Sequence, residues 1–188
     1  MIDSSTGQQM LKLPPSTLSA IHRAALQGRS PAEAAALVRQ IGFETGEGFL
    51  QAFSHWLEHH RQEAGADPAS LAAEEFWHHL SGFFARLGWG RLEFTQMHSG
   101  VGSISSREWA EAEIGLGARQ PTCHFTTGML ADLLSRLVGS DLAVLEVECR
   151  SKGDPECRFL IGGAEALQLV YDGLRQGDEV EEAVRSLG

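Results

Sequence analysis

Apolar residues recur at three-, four- and eight-residue steps after position 31: Leu37, Ile41, Phe49, Phe53 and Trp56 fall on one face of a helix. Ser30-Pro31-Ala32-Glu33 opens that helix with a capping box and a proline at its first position. The pattern predicts one long helix from there to about Gln62. A shorter helix over Ser16 to Gln27 precedes it. A second long helix covers residues 69 to 87, past the linker Gly65-Ala66-Asp67-Pro68. Gly42 and Gly46 lie four apart inside the first long helix. Glycine costs about 1 kcal/mol in a helix interior, so the pair implies a bend or the close approach of another backbone. A tolerated kink and a dimer or ligand contact are both open.

From residue 91 the period changes. RLEFTQMH alternates as a strand does, with Leu92, Phe94, Gln96 and His98 on one side. Its predicted partner is 105 to 114, across the SGVGS stretch. Pro121 and Thr122 open another helix, which runs to Val138 and stops at Gly139. Residues 142 to 149 and 156 to 161 form a hairpin around Gly153-Asp154-Pro155, and a closing helix spans 164 to 176. Helices first, then strands and helices mixed, predict an α+β fold with an antiparallel sheet and packed helices. Residues 1–14 read as a tail and 15–188 as a single domain, with long helices over 31–87.

Composition narrows the partners. With 188 residues and 43% hydrophobic content the chain can bury a sizeable core. Its 15 Lys and Arg against 25 Asp and Glu leave a net charge of -10 without a basic cluster, so nucleic acid and anionic membranes are poor partners. A leader and a run of about 18 apolar residues are both missing, which predicts a cytoplasmic, reducing location. GxGxxG, GxxxxGK[ST], HExxH and GxSxG do not occur, which removes the commonest nucleotide, zinc-protease and hydrolase readings.

Histidines and aromatics supply candidate binding chemistry. His55, His59 and His60 sit near a polar helix end, where a solvated face outweighs a metal site. His78 and His79 point about 100° apart on a helix, so only one can face a pocket. His98, on the same side as Leu92 and Phe94, is either a satisfied core histidine or a hydrogen-bonding group for a ligand. Phe76, Trp77, Phe83, Phe84, Trp89 and Phe94 crowd into residues 76 to 94, as a core or the lining of an apolar pocket would.

The three cysteines carry the sharper signal. Cys149 ends one strand and Cys157 begins the next, while Cys123 lies at a helix start, where backbone amides favour the thiolate. Three thiolates suit Zn²⁺, with His124, Glu146, Glu148 or Glu156 as candidates for the fourth position. A reduced structural role and a Cys149 to Cys157 disulfide are the alternatives that spacing leaves open.

Cys123, then Glu146 and Cys149 as ExxC, then Cys157 within GDPxCxF, closely resemble the 4-vinyl reductase domain family, which includes the sensory domains of phenol- and xylene-responsive bacterial regulators. The resemblance is strong over 123–161 and extends over 31–180. It implies a structural zinc on Cys123, Glu146, Cys149 and Cys157. On a regular strand Glu146 and Cys149 face opposite ways, so joint ligation requires a bulge, with Glu148 as the fallback ligand. The resemblance further implies a dimer, an architecture like that of TRAPP vesicle-tethering subunits (the NO-signalling/Golgi-transport ligand-binding type), and a pocket for a small hydrophobic or aromatic ligand. His98, Trp109, Phe94, Trp77, His78 and Phe83 are the candidate pocket residues. Neither an ATPase motif nor a DNA-binding helix pair accompanies the domain, so a separate output protein would carry any signal. Three functions compete: a zinc-containing sensor or carrier, an enzyme or accessory of tetrapyrrole metabolism, and a TRAPP-like interaction module. A closed four-ligand zinc leaves no position for a reacting water, and no hydride-cofactor motif is present, so catalysis ranks low.

Overall fold

The computed structural model describes residues 13–61 and 65–187. The predicted tail, apart from Leu13 and Pro14, and the predicted helix end at Gln62 lie outside the described residues. Four helices come first: α1 (Ser16–Ala25), α2 (Pro31–Phe43), α3 (Gly46–Arg61) and α4 (Ala73–Leu87). They are followed by β1 (Glu93–His98), β2 (Val101–Ser106), α5 (His124–Val138), β3 (Ala143–Glu148), β4 (Cys157–Gly162), α6 (Ala164–Gln176) and α7 (Val180–Arg185). The four strands run in the order β1-β2-β4-β3 with every neighbouring pair antiparallel. The α+β class is as predicted.

Strand alternation gives the sheet two apolar faces. Phe94, Ile104, Val144, Phe159 and Ile161 join the larger core with α1 to α5. Leu145, Val147 and Leu160 instead meet Leu167, Val170, Ala183 and Val184 of α6 and α7. The sheet is thereby sandwiched between two helical layers, and α5 packs most extensively against α2.

Two predicted elements and the reading of two glycines differ. The single long helix is two, because Thr45 spends both its hydroxyl (2.6 Å) and its N–H (2.9 Å) on the Gly42 carbonyl, ending α2 before α3 begins at Gly46. The backbone that approaches Gly42 and Gly46 belongs to this chain. A Cβ on Gly42 would lie 2.0 Å from the Phe125 carbonyl oxygen, one on Gly46 2.6 Å from Asp132, and one on the α5 residue Gly128 1.9 Å from the Arg39 carbonyl oxygen. These glycines are used up in seating α5 on α2 and α3, which overturns the idea that they form a surface for a partner. The third difference is the β1 partner, which is Val101–Ser106 rather than 105–114. Ser99 and Gly100 alone make the turn, and Gly102 stays in the strand because the Phe94 ring covers it.

Candidate metal centre and ligand pockets

A loop, a strand end and a hairpin supply the four predicted metal ligands. Cys123 caps the start of α5, Glu146 lies on β3, Cys149 follows β3, and Cys157 opens β4. All four are buried, and one donor atom from each lies within 4.8 Å of every other. A register shift between Glu146 and Glu148 is what makes this possible. It turns Val147 and Glu148 outward together, Glu148 toward Arg158 at 3.5 Å, and returns Cys149 to the face of Glu146. The required bulge is present, and Glu148 points away from the sulfurs.

The donor set fits a tetrahedral metal. Cys123 Sγ lies 3.9 Å from Cys149 Sγ and 3.8 Å from Cys157 Sγ. Zinc–sulfur bonds of ~2.3 Å at tetrahedral angles separate sulfurs by about 3.8 Å. Glu146 Oε2 accepts the Cys123 N–H at 2.8 Å, while its Oε1 is buried without a hydrogen-bond partner. An orphaned carboxylate oxygen beside three sulfurs is a costly arrangement that a cation relieves. The cluster can hold a metal ion.

Protons are distributed accordingly in the metal-free cluster. Hydrogen bonds from the Cys123 and Cys157 thiols hold Cys149 far below the ordinary thiol range. Cys123 is pushed well above that range by its bonds to Cys149 and Cys157 and by burial. For Cys157 the Cys123 contact lowers the value, but Cys149 and burial outweigh it and push the thiol up to about 12. Burial, reinforced by the neighbouring Cys149 charge, pushes the Glu146 carboxyl up to about 9. Of the three sulfurs it is Cys149, rather than Cys123, whose thiolate form the surroundings favour. The Cys123 amide, which was to favour charge on its own sulfur, is engaged by Glu146 instead.

Surrounding residues fix these ligands. Asp154 of the Gly-Asp-Pro turn accepts the Cys149 N–H at 2.7 Å, and Ser151 Oγ accepts from Thr122 Oγ1 and from Glu113 N, both at 2.9 Å. The buried Glu111 carboxylate caps α5 by accepting from Phe125 N at 2.9 Å and Thr126 N at 2.8 Å. Its Oε1 also lies 3.1 Å from His22 Nε2, off the line of a hydrogen bond. Glu111 was invisible to sequence reasoning, being one acidic residue in an irregular segment.

The six candidate pocket residues separate. Trp109 is buried among Phe84, Trp89 and Phe159, and its Nε1 donates to Thr126 Oγ1 at 2.7 Å. Phe83 packs in the core against Phe53 and Phe84. His98 stands half-buried beside the β1–β2 turn, its Nδ1 accepting from Gly100 N at 3.3 Å, because a second register shift between Gln96 and His98 breaks the alternation with Phe94. Trp77, His78 and Phe94 line an open trough of about 960 Å³ along α4. A more enclosed apolar cavity of about 290 Å³ is bounded by Leu18 and Ile21 of α1, Phe49 of α3, Trp89 and Phe125. Its lining comes from separate segments of the chain, which left no local sequence signal.

The half-buried His55 and the exposed His59 have rings 4.3 Å apart, and Glu58 joins them as a second group able to hold a cation. Among the described residues no helix is long and apolar enough to cross a membrane.

Comparison with known proteins bears on both sites. The 4-vinyl reductase domain matches residues 108–163, the stretch from the Trp109 loop through β4. The bacteriochlorophyll synthase 23 kDa chain of Cereibacter sphaeroides is 31% identical over 155 residues, which is 81% of this chain and 72% of that protein. Among solved structures, the phenol-responsive sensory domain of the transcription activator PoxR with phenol matches with a TM-score of 0.59 at 18% identity, covering 96% of this chain and 84% of that one. Subunit 3 of a trafficking protein particle complex from Naegleria fowleri, covalently bound to palmitic acid, matches at 0.61 with 12% identity, over 79% and 91% of the two chains. A vinyl-4-reductase family protein from Methanocaldococcus jannaschii matches at 0.52 with 18% identity, over 81% and 83%.

Proposed function

The chain belongs to the 4-vinyl reductase domain family, and on that premise we propose that it is a binding domain for a small hydrophobic or aromatic molecule, closed by a structural zinc and acting as sensor or carrier. The observation that carries this reading is the separation of the two kinds of site. Cys123, Glu146, Cys149 and Cys157 converge on one buried point, whereas the aromatic-lined spaces lie elsewhere, along α4 and beneath α1. Zinc held by those four residues would supply cross-linking, tying the start of α5 to the β3–β4 hairpin. A site with four protein donors has no open position for a reacting water. The phenol and palmitate held by two structural neighbours agree with a ligand-binding role.

A second reading has its own support. The relationship to a bacteriochlorophyll synthase chain over most of both sequences favours service in tetrapyrrole metabolism, as an accessory that binds an intermediate. The proposal includes a homodimer and a separate output protein; exposed Leu26, Ile114 and Leu116 give apolar surface for such contacts. Native mass spectrometry of freshly purified protein tests these points together. One zinc per chain, a dimer mass and a retained apolar molecule are expected. Full-length protein without zinc and without affinity for phenol or a porphyrin overturns the reading.

A further inference from the structure

The trough along α4 differs in kind from the enclosed cavity beneath α1. Glu74, His78, Ser81, Gly82 and Ala85 recur at three- and four-residue steps and form one stripe of α4 within the lining. Three of these residues, Ser81, Gly82 and Ala85, are small, so the C-terminal part of the stripe presents a low strip of helix surface bordered by the Trp56 ring, 3.6 Å from where a Gly82 Cβ would stand. Trp56 and His60, stacked at 4.6 Å and 15°, come from α3. Trp77 and Phe94, stacked at 4.4 Å and 7°, stand toward β1. Arg86 and Arg91 lie toward the end of α4 and the entry to β1, and their guanidinium groups form no ion pair among the described residues. His78 is exposed, and its ring nitrogens have no hydrogen-bond partner among the described residues.

A low strip, aromatic side walls, an imidazole with free nitrogens and two unpaired cations suit a planar, metal-bearing macrocycle that carries carboxylates. The imidazole can ligate the central metal from one face, as neutral histidine does for Zn²⁺ and Mg²⁺-type acceptors. Guanidinium groups pair with carboxylates in fork geometry. The sizes separate the alternatives: about 290 Å³ beneath α1 suits a one-ring aromatic, and about 960 Å³ along α4 is at the upper end of the ~300–1,000 Å³ range of ligand sites. Resting on the tetrapyrrole reading above, we propose that the α4 trough binds a metallated tetrapyrrole with His78 as axial ligand and Arg86 and Arg91 on its carboxylates. Trp77 and Phe94 then pack on the edge of the macrocycle, and the cavity beneath α1 plays no part.

The test uses the zinc-loaded full chain and zinc protoporphyrin IX as the probe, followed by the Soret band, with metal-free protoporphyrin IX, the zinc porphyrin dimethyl ester and phenol in parallel. Saturable binding with a red-shifted Soret band is expected. His78→Ala should abolish the shift and weaken the zinc porphyrin about tenfold while leaving the metal-free porphyrin nearly unchanged. Arg86→Gln with Arg91→Gln should weaken the diacid about tenfold and spare the dimethyl ester. Leu18→Trp, which fills the cavity beneath α1, should change neither. Zinc porphyrin binding that survives both trough variants, or is lost only in Leu18→Trp, overturns the assignment to the trough. Phenol binding without porphyrin binding overturns the inference and leaves a small-molecule site standing; binding of neither removes the parent reading as well. Metal content and circular dichroism of each variant separate lost binding from lost fold.

Discussion

Glu146 shows how much one buried oxygen can constrain. Its Oε2 takes the Cys123 N–H, so the side chain is anchored to the start of α5 before any metal arrives, and Oε1 is left facing the sulfurs. Glu146→Gln keeps the size and an acceptor for Cys123 N but removes the anion. It should weaken zinc at least about tenfold while the protein still folds, as competition with a chromophoric chelator would read out. Cys157→Ser removes a ligand from the β4 end and should cost zinc and about 3 kcal/mol, seen as a Tm lower by about 10 °C. Protons sharpen the same point. The metal-free cluster holds them on Cys123, on Cys157 with its thiol pushed up to about 12, and on Glu146 with its carboxyl pushed up to about 9. Zinc must displace them at neutral pH, so loading releases protons and apparent affinity falls as pH falls. Calorimetry in buffers of different ionisation enthalpy measures that release, and a buffer-independent heat would contradict it.

At the scale of elements, the α2–α5 crossing positions the start of α5, where Cys123 stands. Gly42 and Gly128 let backbone oxygens of the facing helix sit where a side chain would be. Gly128→Ala puts a methyl 1.9 Å from the Arg39 carbonyl oxygen, a clash with rigid backbone, and should destabilise by about 2 kcal/mol or more in denaturant unfolding. The opposite end of α2 is held by its cap. Ser30 Oγ accepts from Glu33 N at 3.3 Å, and Glu33 Oε2 accepts from Ser30 N at 2.8 Å. The Ser30 hydroxyl and amide hold the Glu33 carboxyl below its ordinary range. A carboxylate depressed on folding adds stability above its unfolded value and loses it as pH falls through the folded one. Ser30→Ala should therefore flatten the acid limb of the pH–stability curve below about pH 4.5, where the unfolded carboxylate titrates. Equal acid sensitivity of variant and parent would contradict this.

For the whole molecule, the four predicted metal ligands come from two layers that are distant in sequence. Cys123 begins the helix that packs on α2 and α3, and the other three ligands belong to the β3–β4 hairpin, whose outer face supports α6 and α7. Stripping zinc with a chelator should thus lower one cooperative melt rather than release a single loop, with ellipticity and tryptophan fluorescence falling together. Separate transitions for the two probes would show that the layers unfold independently.

Much of this was legible along the chain, for local reasons. The capping box at Ser30 and the terminator Gly139 act over a few residues, so helix positions could be read. The family resemblance carried by ExxC and GDPxCxF picked out four residues that the fold brings together, and the expected bulge between Glu146 and Cys149 is there. The short range of these signals is also their limit. Whether glycines at 42 and 46 face a partner or α5, which sulfur of three bears the charge, and whether Trp109 lines a pocket or fills the core all depend on residues dozens of positions away. Glu111 became a helix cap, and His98 left the strand face, only through contacts and register that tertiary packing imposed. The sequence by itself determined the α+β class, most helix positions and the donor types of Cys123, Glu146, Cys149 and Cys157, because those follow from backbone propensity and side-chain chemistry. Tertiary structure alone decided where open space remains, because space is what is left after distant side chains have packed.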